Sequence, residues 1–459
     1  MSPESCIKVL KFGGKSLSNQ GIYDVLSIIE RISVQTRILV VLSARGNATN
    51  DLQCILEKAC KGEDYVNDLN SFFQEQKVPV PQIDFLNEYK HLDSILKKVE
   101  FSKCSTPKIK DEFISMGEIL SCKIMTHLLK ERNYKVSFTD TRSVLKTDSN
   151  FCNAKILDYT SRRNVIKAFA NWNDNTIQIA TGFISSNLDG ETTTLGRNGS
   201  NYTATLLADY LDAKEVQNWT NVSGIYTADP KFIPTAEKIK NISFEDANKL
   251  AHIGIEILHH KTIIPLIRKQ IPIRILNTLA PQDEGTLISN EIIGFNLKTL
   301  SVVKNLALIT LKSDILSKAS EICEKIYFSM RENGVIMRMA PKIYEKREIT
   351  FVERLDNLQK VKKILHKQYD INPSDKDSLV INKNIGVICF IGNLHGAISD
   401  ISNVLKEKSI PIHLISNDID NHYTSVVVEG QNTVQALNAI YEELFDKNHK
   451  IKLQLPSLG

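Results

Sequence analysis

Lys11 closes the apolar run Cys6–Phe12, and Gly13 and Gly14 follow it at once. A lysine at the end of a buried strand, beside backbone that carries no side chains, can meet a phosphate at the edge of an open α/β sheet. Gly14-Lys15-Ser16 imitates the tail of a P-loop, but that motif needs a glycine at Val9, which lies inside the strand. Further on, Gly196-Arg197-Asn198-Gly199-Ser200 opens a helix expected from about Tyr202 to Leu211. Unpaired N–H groups at a helix start attract an anion, and an arginine beside them can grip a carboxylate or phosphate. Glu118 sits among Phe113, Ile114, Met116, Ile119 and Leu120. A carboxylate near a buried face needs a partner, and a ligand ammonium is a suitable one. The polar loop Ser43–Asn50, with Thr49, follows another strand. His259 and His260 are adjacent, but no third ligand stands at suitable spacing, so no metal site is expected.

The elements that must hold these residues alternate. Strands are expected at Cys6–Phe12, Arg37–Leu42, Tyr134–Phe138, Ile177–Ile184, Glu215–Thr220, Ile271–Thr278 and Gly285–Ile288. Leu52–Leu129 reads as mainly helical, interrupted at Val78–Pro81, and Arg162–Trp172 as a further helix. From about Leu297 the pattern changes and repeats as two βαββα units, the first opening with a strand Val302–Leu311. Pattern alone makes these a ferredoxin-like repeat.

A hydrophobic content of 42% with 24% charged residues is ordinary for a soluble protein large enough for several cores. The net charge of +4 is slight and its basic residues are spread along the chain, which argues against nucleic acid or membrane as partners. Eight cysteines without a CxxC pair read as reduced thiols. No signal peptide or membrane-spanning run stands out, and a cytoplasmic location is expected.

The string from Thr181 to Lys231 resembles the aspartokinase branch of the amino-acid kinase family, whose pattern reads LGR-[GN]-GSD-x-[ST]-A and then W-T-D-V-x-G-I-Y-T-x-D-P. The opening Lys11–Ser16 resembles that branch's K-F-G-G-T-S, and Ser43–Asn50 its S-A-x-x-x-x-T-[ND] loop. Phe113–Leu120 resembles its G-E helix, and Ile253–His259 its G-A-K-V-L-H-P segment. The repeat resembles the paired ACT regulatory domains that follow such kinases. In length and loops the chain looks closest to the kinase half of bifunctional aspartokinase–homoserine dehydrogenases.

The resemblance implies an α/β fold: an open, mainly parallel sheet of the amino-acid kinase type over residues 1–293, then two ferredoxin-like βαββαβ ACT domains over 297–375 and 383–450. It implies transfer of the γ-phosphoryl of ATP, with Mg2+, to the β-carboxylate of L-aspartate, the first step of lysine, threonine and methionine biosynthesis. Lys11 would contact the phosphoryl group, with Asn201 at the other catalytic position. Thr49, Glu118, Arg197 and Ser200 would hold the amino acid. Gly13, Gly14, Thr220, Asn221, Tyr226, Lys231 and Glu256 match the nucleotide side. ACT pairing implies a homodimer at least, with a possible amino-acid effector.

The departures from the pattern concentrate in this site. Lys15 replaces a threonine, Asn201 and Asn221 replace aspartates, Ser223 replaces an acidic residue, Lys231 replaces an arginine, and Glu256 and His260 replace a lysine and a proline. The effector stretch usually reading Q-G-S-S-E is Ser416–Asn421 here. Two other readings therefore stand beside an aspartate kinase: a catalytically impaired homologue that binds amino acid or nucleotide as a regulatory subunit, and a kinase of another small carboxylic acid.

Overall fold

The computed structural model describes residues 6–18, 20–252, 260–290, 299–303, 305–312, 319–335, 342–344, 348–369, 378–391, 397–417 and 423–446. They fall into two compact units. The first comprises residues 1–225, 238–247 and 258–292; the second comprises 226–237, 248–257 and 293–459. The expected boundary near residue 293 is thus crossed by two short segments that group with the C-terminal unit.

In the first unit the chain runs β1 (Ile7–Phe12), α1 (Gly21–Ser33), β2 (Arg37–Leu42), then five helices: α2 (Ala48–Lys61), α3 (Val66–Lys77), α4 (Leu86–Ser102), α5 (Pro107–Ile114) and α6 (Met116–Glu131). It continues through β3 (Lys135–Thr139), α7 (Asp158–Phe169), β4 (Thr176–Thr181), β5 (Ile184–Ser186), β6 (Thr192–Thr194), α8 (Gly199–Tyr210) and β7 (Glu215–Thr220). After the short β8 (Ile225–Tyr226) and β9 (Lys238–Ile239) come β10 (Asn241–Ser243), α9 (Phe244–His252), α10 (His260–Lys269), β11 (Ile273–Asn277) and β12 (Thr286–Ser289).

Eight strands form one sheet in the order β10-β12-β11-β7-β1-β2-β4-β3. Among the described residues its strand pairings are parallel except that of β11 with β12. The interior strand β2, RILVVL, is buried at every position after the first. Such an unbroken apolar run suits a strand covered on both faces. On α1, Ile22, Val25, Leu26, Ile29 and Ile32 recur at helical spacing and are all buried.

Two expected boundaries move for local reasons. The apolar run Ile177–Ile184 is not one strand: β4 stops at Thr181, Gly182 donates to Leu42 O at 2.8 Å, and Phe183 takes a left-handed φ of 67° before β5 resumes. A Cβ on Gly182 would stand 2.6 Å from the Ser200 Cβ, so the kink makes room for the start of α8. That helix begins at Gly199, three residues before the expected Tyr202, behind Asn198 in the left-handed conformation. Ser200 and Asn201 therefore lie in its first turn.

The far end of α8 is anchored by charge. The Asp209 side chain is fully buried, and Arg162 of α7 donates to its Oδ2 at 3.0 Å, while Arg268 of α10 pairs with the same oxygen. Arg162 also lies 4.7 Å over the Tyr210 ring, whose hydroxyl donates to Asp158 at 2.8 Å.

The second unit contains β13 (Thr299–Val303), β14 (Leu306–Lys312), α11 (Ala319–Glu332), β15 (Lys342–Tyr344), β16 (Glu348–Arg354), α12 (Leu358–Tyr369), β17 (Leu379–Asn382), β18 (Ile385–Ile391), α13 (Ala397–Glu407), β19 (Ile412–Asn417), β20 (Tyr423–Glu429) and α14 (Thr433–Tyr441). Two four-stranded antiparallel sheets result, β15-β16-β14-β17 and β13-β18-β20-β19, each with helices of the ferredoxin-like ACT type. The expected single strand Val302–Leu311 is broken at Asn305, whose φ of 61° sends its halves into different sheets. β13 pairs with β18, and β17 pairs with β14. The contiguous partition into 297–375 and 383–450 therefore gives way to a nested one, with the first sheet inserted between β13 and the rest of the second.

Removing the Asp209 carboxylate leaves two arginines without their shared anion. Asp209→Ala is expected to destabilise the first unit by about 3 kcal/mol, the low end for breaking a buried pair because both arginines are partly exposed. Urea unfolding of the variant beside the parent protein measures the loss.

Candidate active site

Three chain turns converge at the carboxyl ends of β1 and β2. Ser43 donates from its backbone to Phe12 O at 3.2 Å, and Gly46 donates to Gly14 O at 2.9 Å. Any Cβ on Gly14 would collide with the Ala44 carbonyl oxygen. From the other side, a Cβ on Gly117 at the start of α6 would stand 2.7 Å from the Ala44 Cβ. The two glycines let the post-β1 turn, the post-β2 loop and the α6 terminus touch through backbone. Gly13 has an ordinary extended backbone, and its small size leaves Lys11 Nζ room alongside it.

A cavity of about 750 Å³ opens here. It is lined by Lys11, Gly14, Thr49, Glu118, Arg197, Ser200 and Asn201, all expected from the sequence. Burial pushes the Lys11 ammonium down to about 8. Glu118 is 3% exposed, and its Oε1 accepts from Ala44 N at 3.2 Å. Oε2 has no partner, and burial raises this carboxyl to about 8 against the pull of its backbone hydrogen bonds. The Asn201 amide oxygen is buried without a partner as well. Unsatisfied buried acceptors are costly, and at a cavity wall they wait for a ligand's donors.

Asp111, on α5, also lines the cavity and has no signal in the sequence, where KIKDEF reads as a solvated helix. It is fully buried, with Oδ2 accepting from Cys152 N at 2.7 Å and Thr194 N at 3.0 Å, and Oδ1 from the Thr194 hydroxyl at 2.8 Å. Its charge is spent fixing the 152 turn and β6, the strand that leads into Arg197.

Thr220 and Asn221 are not in the cavity wall. Thr220 ends β7 and Asn221 follows it; Trp219 is in register with Phe12, so both stand at the same sheet edge as Gly13. Thr220 O accepts from Thr278 N at 2.8 Å. Tyr226 and Lys231 belong to the second unit. There Thr299 donates to Tyr226 O at 2.9 Å, and Tyr441 of α14 lies 3.0 Å from the Thr227 hydroxyl. Glu256 lies outside the described residues, as do Ile253–His259 and residues 418–421 of the effector stretch. Among the described residues, no three His, Cys, Asp or Glu side chains are grouped to hold a metal ion, and no helix is long and apolar enough to cross a membrane.

Residues 7–277, more than half of the chain, match the amino acid kinase family. The chain belongs to that family. Over 99% of its length it is 28% identical to the bifunctional aspartokinase/homoserine dehydrogenase of Buchnera aphidicola, of which it covers 58%. The chain thus spans little more than half the length of the bifunctional bacterial relatives it matches. It is also 28% identical to the lysine-sensitive aspartokinase 3 of Escherichia coli, covering 96% of this chain and 99% of that one. In three dimensions this amino acid kinase is similar to E. coli aspartokinase III in complex with aspartate and ADP, with a TM-score of 0.79 at 25% identity over 96% of this chain and 100% of the other. The aspartate kinase of Clostridium acetobutylicum gives 0.71 at 25% identity, over 95% and 99%.

A carboxyl raised from about 4.5 to about 8 binds its proton more tightly folded than unfolded. Between those values the unfolded chain has lost the proton and the folded one has kept it, so stability falls as pH rises from 4.5 to 8. Glu118→Gln removes this fall. The ligand-free variant is expected to melt several degrees above the parent at pH 8 and to lose most of that advantage at pH 5, as read by calorimetry.

Proposed function

We propose that this chain is an aspartate kinase, transferring the γ-phosphoryl group of MgATP to the β-carboxylate of L-aspartate. The observation that carries the reading is the single cavity that joins Lys11, Thr49, Glu118, Arg197 and Ser200. Glu118, buried with one oxygen unbonded, and Arg197 in the same cavity suit the ammonium and α-carboxylate of an amino acid. The β-carboxylate is already an anion and needs no strong base. One of its oxygens forms a bond to the γ-phosphorus, the bond from that phosphorus to the bridging oxygen breaks, and ADP leaves with the electron pair. The chain's work is alignment and neutralisation of charge.

Lys11 supplies a cation at the phosphoryl oxygens. Of the described carboxylates in the cavity, Asp111 is consumed by hydrogen bonds and Glu118 is reserved for the ammonium, so the described residues offer Mg2+ no ligand set there. The ion enters on the nucleotide phosphates, as part of the substrate. Thr220 and Asn221, with Tyr226, Lys231 and Glu256 by resemblance, serve the nucleotide. The buried, unsatisfied Asn201 oxygen favours a second reading, in which the chain binds amino acid or nucleotide as a regulatory subunit without turnover. The ACT-type units support an amino-acid effector and a homodimer. E. coli aspartokinase III, solved also with lysine and aspartate, is similar at a TM-score of 0.76.

A hydroxylamine trap decides between the readings. With MgATP and L-aspartate the protein is expected to form aspartyl hydroxamate, and Lys11→Ala to lower the rate on the order of 100-fold or more. Binding of either ligand without product would establish the regulatory reading instead. Aspartate binding at pH 7 is further expected to release about one proton as Glu118 ionises against the ammonium. Calorimetry in buffers of different ionisation heat measures that release, which Glu118→Gln should abolish.

A further inference from the structure

The cavity carries more positive charge than a carboxylate acceptor and one lysine require. Lys11, Lys15, Lys110 and Arg197 all line it, against Asp111 and Glu118. Asp111 has both oxygens bonded to the protein, and Glu118, raised by burial to about 8 in the ligand-free protein, has its charge matched by the amino acid's ammonium once that binds. Asn201 adds no charge at a position where related kinases carry an aspartate. The excess must be met by anionic groups of the ligands.

Lys15 is the cation best placed to meet them. It lies in the short 3-10 turn Gly14–Leu17 directly after β1, four residues beyond Lys11. Its backbone is held on both sides. Gly14 is pressed against Ala44 and accepts from Gly46 N, and the Ser18 hydroxyl donates to Lys15 O at 2.8 Å. The side chain has no hydrogen bond or ion pair among the described residues, and it is exposed to solvent on the cavity wall. Lys11, by contrast, gives up part of its charge to burial.

We infer that Lys15 is a phosphate-contacting residue of this chain, taking over part of the charge neutralisation that a divalent cation otherwise supplies to the nucleotide. The inference rests on the nucleotide reading above and on no bound metal. It makes the site tolerant of nucleotide phosphates that carry no Mg2+. A flexible lysine also reaches one phosphate oxygen as a point charge, without the fixed fork of an arginine.

The test is calorimetric and does not depend on turnover. The full chain and its Lys15→Thr and Lys15→Arg variants are titrated with ATP in excess chelator, with MgATP, and with L-aspartate. The parent protein is expected to bind metal-free ATP. Lys15→Thr should weaken that binding about 10- to 100-fold, the worth of one charge-assisted hydrogen bond. MgATP should weaken several-fold less, aspartate should be unchanged, and Lys15→Arg should retain most of the affinity. Because the side chain is exposed and unbonded, equal melting temperatures are expected for all three proteins.

The inference is overturned if the parent binds MgATP but not metal-free ATP. It is also overturned if Lys15→Thr leaves both nucleotide forms unchanged, weakens them equally, or acts on aspartate instead. Those results leave the kinase reading standing. Failure of the parent to bind either nucleotide form would remove both.

Discussion

Ala44 is the point on which the site depends. Its carbonyl oxygen leaves Gly14 no room for a side chain, its methyl group leaves Gly117 none, and its N–H is held by Glu118. Three segments far apart in sequence are thereby locked at backbone distance, and each delivers a different ligand group: Lys11 and Lys15 from the first, Thr49 from the second, Glu118 from the third. Contact of this kind is rigid because there is no side chain to change rotamer. Any enlargement at the three positions has to move backbone, which interiors packed to crystal density do not absorb.

The opposite wall is held by electrostatics. Asp209, buried between Arg162 and Arg268, fixes the C-terminal end of α8, and the kink at Gly182–Phe183 fixes its start. A buried carboxylate shared by two arginines adds little net stability but strongly disfavours any arrangement that separates them. Asp111 plays a similar part for the turn ahead of Arg197, through hydrogen bonds alone. The two walls thus rely on different forces, and the cavity between them holds polar atoms without partners. The cost of keeping Glu118 Oε2 and the Asn201 amide oxygen dry is borne by the packing around them.

Much of this was legible in the residues. Glycines after an apolar run, a carboxylate among hydrophobes and an arginine at a helix start each state a local conflict that a ligand resolves, and Lys11, Glu118 and Arg197 do share one cavity. Asp111 left no such mark, because its partners, two backbone N–H groups and the Thr194 hydroxyl, belong to residues distant in sequence. The breaks at Phe183 and Asn305 were hidden for another reason. Apolar residues resume directly beyond Gly182 and beyond Asn305, so each run reads as one strand although a left-handed residue divides it. Resemblance placed Tyr226 and Lys231 with the nucleotide, yet their segment packs its Ala228 and Ile233 into the core of the second unit, with Leu300, Ile388 and Ile440. Short segments can cross a domain boundary when two apolar side chains find a better core on the far side.

The exchange of strands at Asn305 has a consequence for the order in which the chain matures. β13 belongs to the sheet of β18, β19 and β20, but the whole intervening ferredoxin-like unit is translated before β18 exists. At ~5–20 residues per second, β13 waits on the order of several seconds with its pairing edge unmatched. The inserted unit has its own first and last strands, β14 and β17, side by side, so it can close by itself during that interval. Its closure brings the ends of the interrupted sheet toward each other and shortens the loop that β13 and β18 must still close.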